Sequence, residues 1–254
     1  MKVLIIGFGY VGSAVASIFK QDEKIIIDPK YTRLRINDVS KNKFDLVFVC
    51  VDTPIEDKFK TLDTVLKDLN KLLPKNVVCC KSTAPPHIYE QMSKKYNNIT
   101  IVHSPEFLSH HSNIRDFNCQ DFIILGGKKQ VCKKIQKILC DRIPSIKKTG
   151  ITDIKTAALI KYAENAFLAY KVTFFNELFD IHKNLKLKSK FNDMVNLLTL
   201  DNRIGKSFTS VPGRDGRRGW GGHCFTKDNL ELQLFTKSKL IEFMRKINKI
   251  HRSK

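Results

Sequence analysis

Lys2-Val3-Leu4-Ile5-Ile6-Gly7-Phe8-Gly9-Tyr10-Val11-Gly12 stands at the start of the chain and decides its fold. Lys2 to Ile6 reads as an apolar strand, and the pattern running on through Phe19 is helical. The glycines between them follow G-x-G-x-x-G. Gly7 makes the tight turn, Gly9 lets the backbone approach a pyrophosphate, and Gly12 permits close packing of helix on strand. Tyr10 and Val11 lie in the first helical turn, whose N-terminus favours phosphate. A second strand, Lys24 to Ile27, ends at Asp28. That is about 20 residues past the first glycine, where an acid bonds ribose hydroxyls and repels a 2′-phosphate. Strand, glycines, helix and acid together predict an NAD site built on Gly7, Gly9, Tyr10, Val11, Gly12 and Asp28.

Outward from this unit the pattern alternates. Only a short polar segment, Pro29 to Phe44, precedes the third strand at Asp45 to Val51, so a stunted crossover is expected there. A helix from about Leu62 to Leu73, a strand at Val77 to Lys81, a helix from His87 to Lys95 and a strand at Ile99 to His103 follow. A strand at Phe122 to Leu125 and a helix from Gln130 to Asp141 complete the series. Strands alternating with helices imply an α/β fold with a parallel, doubly wound sheet, assigned to residues 1–150. Ligands bind such sheets beyond the C-terminal strand ends, which carry Thr53-Pro54, Ser82-Thr83 and Glu106.

Residues 151–254 are expected to form a mostly helical domain around one long helix, Asp153 to about Asn184. Its first two-thirds are apolar nearly all round, as in a helix buried by its own domain or by another subunit. Lys161 and Asn165 stand four apart within it, on one face. Loops at Asp201-Asn202-Arg203-Ile204-Gly205 and Val211 to Arg218 follow. Gly219-Trp220-Gly221-Gly222-His223-Cys224-Phe225-Thr226-Lys227-Asp228 then combines paired glycines, a cysteine and an acid. The run after it reads as helix, placing Cys224 at a helix N-terminus that favours thiolate, with Asp228 one turn on. Taken alone, Gly-Gly-x-Cys is more simply a glycine turn before a structural cysteine. Leu230 to Ile250 reads as a basic amphipathic helix or helix pair.

Composition excludes some classes. A hydrophobic content of 42% with no long apolar run predicts a chain without membrane spans. Seven cysteines form no C-x-x-C pair, and with no secretion signal a reducing cytoplasm is the expected setting. His110-His111 is the one histidine pair, and no metal site is assigned. The net charge of +20 is spread along the chain without interleaved aromatics, so nucleic acid is disfavoured as a partner.

Five stretches in order resemble the UDP-glucose/GDP-mannose dehydrogenase family: Gly7 to Gly12, Lys81-Ser82-Thr83-x-Pro85, Ser104-Pro105-Glu106-Phe107-Leu108, Ile160-Lys161-Tyr162-Ala163-x-Asn165-Ala166-Phe167, and Gly221-Gly222-x-Cys224-Phe225-x-Lys227-Asp228. The resemblance runs from the first residue to about Leu232. It implies a Rossmann-like domain, two NAD+ per turnover, and oxidation of the C6 alcohol of UDP-glucose to the carboxylate. GDP-mannose or a UDP-N-acetylhexosamine are alternative substrates, and a truncated, non-catalytic nucleotide-sugar binder is the alternative class. By resemblance Cys224 is the nucleophile and Lys161, Asn165 and Asp228 complete its site. Thr83 and Glu106 position water and substrate, and Thr53 and Thr83 border the cofactor. Phe107, Leu108 and Gly221 touch the substrate, and Arg203 reaches it from the neighbouring subunit of a homodimer built on residues 153–184. Three departures are visible. The family's C-terminal nucleotide-binding domain is expected to be absent, His110 replaces an acid common in relatives, and Thr226 replaces a proline. The cluster Arg214, Arg217 and Arg218 is either a phosphate grip that compensates for the missing domain or a solvated loop.

Overall fold

Residues 1–108 and 112–254 are described by the computed structural model, in which contacts divide the chain into two units, Met1–Lys161 and Tyr162–Lys254. His110 and His111 lie outside the described residues.

In the first unit, β1 (Val3–Ile6) is buried along its whole length. It is followed by α1 (Tyr10–Ser17), β2 (Lys24–Ile27), β3 (Leu46–Val49), α2 (Lys60–Leu72), β4 (Val77–Cys80), α3 (Pro86–Lys95) and β5 (Thr100–His103). Then come α4 (Asn113–Asn118), β6 (Phe122–Gly126), α5 (Lys129–Arg142) and β7 (Lys148–Thr152), in a sheet of order β2-β1-β3-β4-β5-β6-β7. The crossover between β2 and β3 is stunted to a single 3₁₀ turn, Ile36–Val39, as its short polar sequence implies.

Alternate residues along each strand serve opposite faces. Leu4, Ile6, Val47, Val49, Val78 and Cys80 pack with Leu62, Leu66 and Leu69 of α2 and with Tyr89 and Met92 of α3. Val3, Ile5, Leu46, Phe48, Cys79 and Val102 pack with Ala14 and Val15 of α1, Phe117 of α4 and Cys132, Ile135 and Leu139 of α5. Fully burying each large aliphatic side chain is worth about 1.5–3 kcal/mol, which is why central strands this short persist.

The sheet is mostly parallel, as expected, with one departure. β1 to β5 are parallel, but β6 meets β5 antiparallel through His103 and Gly126, and β7 runs parallel to β6. A parallel neighbour needs a crossover returning the chain to the far end of the sheet. Among the described residues the connection from β5 to β6 has only the six-residue α4 as helix, and the chain turns back from the end it has reached.

α6 (Ile154–Asn184) is capped by Asp153, whose Oδ1 accepts from Lys155 N and Thr156 N. The second unit adds α7 (Phe191–Leu198), α8 (His223–Thr236) and α9 (Lys239–Arg252). The C-terminal helical pattern is therefore a pair. Lys237 turns left-handed (φ 54°) and the Ser238 hydroxyl accepts from Ile241 N to start α9. Phe175, Phe191, Val195 and Val211 form one apolar cluster, and Ala169, Trp220 and Met244 another. No helix among the described residues is long and apolar enough to cross a membrane.

Candidate active site

The glycine turn after β1 is held by close packing. Gly7 has φ +89° and its N–H bonds Ile27 O at 2.9 Å. A Cβ on Gly12 would stand 1.9 Å from the Gly7 carbonyl oxygen, so α1 can lie this close only with glycine there. Gly9 is different in kind: nothing lies within 4 Å of where its Cβ would be, directly ahead of α1. Tyr10 begins that helix, and Val11 packs partly buried beneath it. Asp28 is anchored to the turn, Oδ2 accepting from Phe8 N at 2.7 Å and Oδ1 from Lys30 N at 2.8 Å. Each carboxylate oxygen keeps a further lone pair for a sugar hydroxyl. An open helix N-terminus for a diphosphate beside an anchored acid for a ribose fits a dinucleotide.

Beyond the neighbouring strand ends, the Thr53 hydroxyl donates to Thr83 O at 2.7 Å, tying the loops after β3 and β4. Ser82 Oγ donates to Val51 O at 2.6 Å across the same junction. Lys81 is buried, its ammonium donating to Ser104 Oγ at 2.9 Å and lying 5.5 Å from the Phe117 ring centroid. His103 is buried as well. Its Nδ1 donates to Cys80 O at 3.0 Å and its ring packs on Tyr89. Burial pulls the imidazole down to about 3, with Lys81 and Lys161 adding to the fall and the Cys80 carbonyl opposing it. Glu106 and Leu108 are partly buried after β5, and Phe107 stacks on Phe122 with ring centroids 5.0 Å apart. The Lys161 ammonium, on the first part of α6, lies 5.1 Å from the Phe107 centroid in a cation–π contact.

In the second unit, Gly222 (φ +83°) leads into α8, with Cys224 as the second helical residue. Cys224 is exposed, whereas Cys50, Cys79, Cys80 and Cys132 are buried. Burial pushes the Cys79 thiol up to about 12 and that of Cys80 to about 11, which makes them poor nucleophiles. One turn beyond Cys224, Asp228 is only 2% exposed, and its Oδ2 accepts from Asn165 Nδ2 at 2.5 Å. Helix geometry and this hydrogen bond bring Cys224, Asp228 and Asn165 to one end of α8. Asp228 has a further partner, Lys227, and a long-range tie stands behind it that spacing does not reveal. Lys227 Nζ lies 2.7 Å from Asp228 Oδ1 and 3.5 Å from Glu231 Oε2, and Glu231 in turn accepts from the Tyr162 hydroxyl.

The strap before Cys224 is clamped from two helices. Asn248 of α9 accepts from Trp220 N at 2.8 Å and donates to Trp220 O at 2.9 Å. From α6, Thr173 accepts from Trp220 Nε1 at 3.0 Å and Asn176 from Gly219 N at 3.0 Å. A Cβ on Gly221 would stand 2.8 Å from Arg252 Nη2, so a side chain there would displace the guanidinium. Arg218 is neither solvated nor available to phosphate. Its Nη1 pairs with Asp180 at 2.6 Å and its Nη2 donates to Asn176 O at 2.8 Å. Arg203 is at the surface, its side chain 89% exposed and paired with Asp201 at 2.6 Å. No cluster of three or more metal-ligating side chains occurs among the described residues.

A left-handed glycine turn, an open helix N-terminus and an anchored acid on a doubly wound sheet define the first unit as a dinucleotide-binding α/β domain. The sequence matches the NAD binding domain of the UDP-glucose/GDP-mannose dehydrogenase family over residues 29–143, and that family's central domain over residues 155–251. Together these take in most of the chain. The chain belongs to this family, and its cofactor is NAD. It is 30% identical over 255 residues to the UDP-glucose 6-dehydrogenase of Rickettsia prowazekii, covering 92% of this chain and 56% of that protein. It thus spans little more than half the length of that relative. A UDP-glucose dehydrogenase from Pyrobaculum islandicum shares the fold, with a TM-score of 0.80 at 21% identity over 98% of this chain and 68% of the other. The UDP-D-ManNAc dehydrogenase of Pyrococcus horikoshii superposes with a TM-score of 0.78 at 18% identity, over the same shares of the two chains.

Proposed function

We propose that the protein is an NAD-dependent nucleotide-sugar dehydrogenase that oxidises the C6 alcohol of UDP-glucose to the carboxylate of UDP-glucuronate. The observation carrying this is the buried Asn165–Asp228 hydrogen bond one helical turn from an exposed cysteine at a helix N-terminus. NAD+, when bound, would accept a hydride from C6 in each of two oxidations, the C6 hydroxyl losing its proton to water in the first. After the first, the Cys224 sulfur adds to the aldehyde carbon and the carbonyl oxygen becomes the alkoxide of a thiohemiacetal. Lys161 and Asn165 stabilise that oxygen. After the second oxidation C6 is a thioester on Cys224. Asp228, assisted by Glu106, takes a proton from water as its oxygen attacks C6, and the thiol leaves to regenerate the enzyme. Thr83 orders the water, and Phe107, Leu108 and Gly221 line the sugar.

GDP-mannose and UDP-N-acetylhexosamines remain competing substrates within the class. A screen of nucleotide sugars with NAD+, following absorbance at the NADH band and product mass, tests the proposal. Two NADH per UDP-glucose consumed support it, and no NADH with any nucleotide sugar overturns it. On this proposal the chain works in a reducing cytoplasm that keeps the Cys224 thiol reduced.

We further propose a homodimer through α6. Phe167 (67% exposed), Tyr170, Phe174 (51% exposed) and Ile181 follow a helical repeat, forming an apolar stripe that a second copy would cover. Arg203 would then serve the neighbouring subunit's sugar nucleotide.

A further inference from the structure

Lys227 and Asp228 are neighbours on α8, and adjacent helical residues point about 100° apart. Their ion pair at 2.7 Å therefore requires the lysine chain to bend along the helix. Glu231 supplies the reason. It stands one turn beyond Lys227, the spacing at which helical side chains meet, and its Oε2 lies 3.5 Å from the ammonium. The same oxygen accepts from the Tyr162 hydroxyl of α6, and the Tyr162 ring is braced edge-on by Phe235. Lys227, Asp228 and Glu231 are each at most 7% exposed and Tyr162 is fully buried.

We propose that Glu231, held by the Tyr162 hydroxyl, is a positioning residue that fixes the Lys227 ammonium between two carboxylates and so leaves Asp228 able to take a proton. This rests on the proposed role of Asp228 in releasing an acyl group from Cys224. Two carboxylates share one ammonium, so the triad carries a net negative charge and Lys227 does not neutralise Asp228 alone. Within this unit the structure places on the triad its own members and the Tyr162 hydroxyl, with Asn165 a neutral donor from α6. Their shifts agree with the geometry. Burial pulls Lys227 down, but Asp228 and Glu231 together hold it above the ordinary lysine value. Burial pushes Glu231 up, with Lys227 and the Tyr162 hydroxyl restraining the rise. Burial, then Glu231 and Asp228, drive Tyr162 far above the usual phenol value, so its hydroxyl remains a donor.

Glu231→Gln keeps the shape and removes the charge. Its first test needs no turnover: the ¹⁵Nζ resonance of the Lys227 ammonium, assigned by its loss in Lys227→Met, is titrated in the full-length protein. In Glu231→Gln the ammonium is expected to lose its proton about one pH unit lower than in the parent, the scale of a nearby charge. Glu231→Asp, which keeps the charge, recovers most of that difference. Titrations that coincide in parent and Glu231→Gln overturn the proposal. The second test is kinetic. In Glu231→Gln the acid limb of kcat moves to lower pH, kcat falls about tenfold and acyl-enzyme accumulates on Cys224 by intact mass, with both KM values unchanged. A rise in KM alone, with an unmoved acid limb, also overturns it. If the parent forms no NADH from any nucleotide sugar, the dehydrogenase proposal fails, and the ammonium titration still decides what Glu231 does to Lys227.

Discussion

Gly12 and Gly9 belong to one motif, yet the structure gives them opposite sensitivities. A methyl at Gly12 would lie 1.9 Å from the Gly7 carbonyl oxygen and 2.8 Å from its carbon. The opposing atoms are backbone, so no rotamer change relieves the contact, and α1 must move away by about 1 Å to reach the shortest separation Cβ atoms tolerate. That movement opens a gap under Ala14 and Val15, both fully buried against β1 and β3. A gap of about 1 Å forfeits between a quarter and a half of each dispersion contact across it. Overpacking costs about 1–3 kcal/mol, and the alanine recovers only about 0.4–1 kcal/mol through the unfolded chain. We expect Gly12→Ala to lose about 2 kcal/mol, read as a melting temperature about 4–8 °C lower in a chain of this size. Gly9→Ala meets nothing within 4 Å and starts from φ −75°, so its melting temperature stays near the parent's. The space its methyl fills is where the diphosphate approaches, so NAD affinity falls about tenfold or more.

Thermal melting by circular dichroism and NAD titration by calorimetry separate the two effects. A Gly12→Ala protein that melts with the parent refutes the packing argument. A Gly9→Ala protein that binds NAD as the parent does refutes the assignment of that space to the cofactor.

Other substitutions test other links. Cys224→Ser is expected to stop acid formation at or near the aldehyde, giving at most one NADH per sugar, and full two-NADH turnover would remove Cys224 from the chemistry. His103 predicts acid lability. Its folded value of about 3 lies below the unfolded 6.5, so its contribution is complete above about pH 6.5 and is lost as the pH falls toward 3. Between pH 7 and 5 the parent should lose about 2 kcal/mol more unfolding free energy than His103→Gln, measured in urea, and equal losses would refute a neutral buried imidazole. Phe174→Glu places a charge in the exposed stripe of α6 and should yield monomer by light scattering with an unchanged melting curve, if the parent is a dimer through that face.

The first unit is largely legible in the sequence because its signals are local. Val3 to Ile6, the spaced glycines and Asp28 sit within one strand–helix–strand span, and each central strand announces itself by a short apolar run. What escapes has no such run. β7 (Lys-Thr-Gly-Ile-Thr) is an edge strand with one large apolar residue, and α4 is too short to show a period. The reversal at β6 accompanies a connection to β5 with little helix among the described residues, which the strand pattern itself does not record. In the second unit the helix carrying Cys224 and Asp228 is readable from spacing. The Tyr162 hydroxyl on Glu231 is not, since it joins residues 69 positions apart. Arg218 shows the same limit. Sequence alone leaves it between a phosphate grip and solvent, and contacts with Asn176 and Asp180 on α6 decide for neither.

The arrangement around Cys224 divides two requirements that a flexible glycine loop would leave in conflict. On the proposed chemistry Cys224 first attacks an aldehyde and then carries an acyl group, which needs free approach, and it stands in the exposed first turn of α8. It also needs a fixed distance to the group that activates water, because effective concentration falls steeply with small misplacement. Helix geometry fixes Cys224 relative to Asp228, and Asn165 fixes the Asp228 carboxylate from α6. The strap that feeds the helix could undo this if it moved, but Asn248, Thr173 and Asn176 hold both faces of Gly219-Trp220. Gly219 is required both by its left-handed backbone (φ +70°) and by proximity, since a Cβ there would stand 2.5 Å from Asn248 Oδ1. The hydrogen-bonded Gly219-Trp220 pair, ahead of the paired glycines of the motif, is what anchors the approach to Cys224.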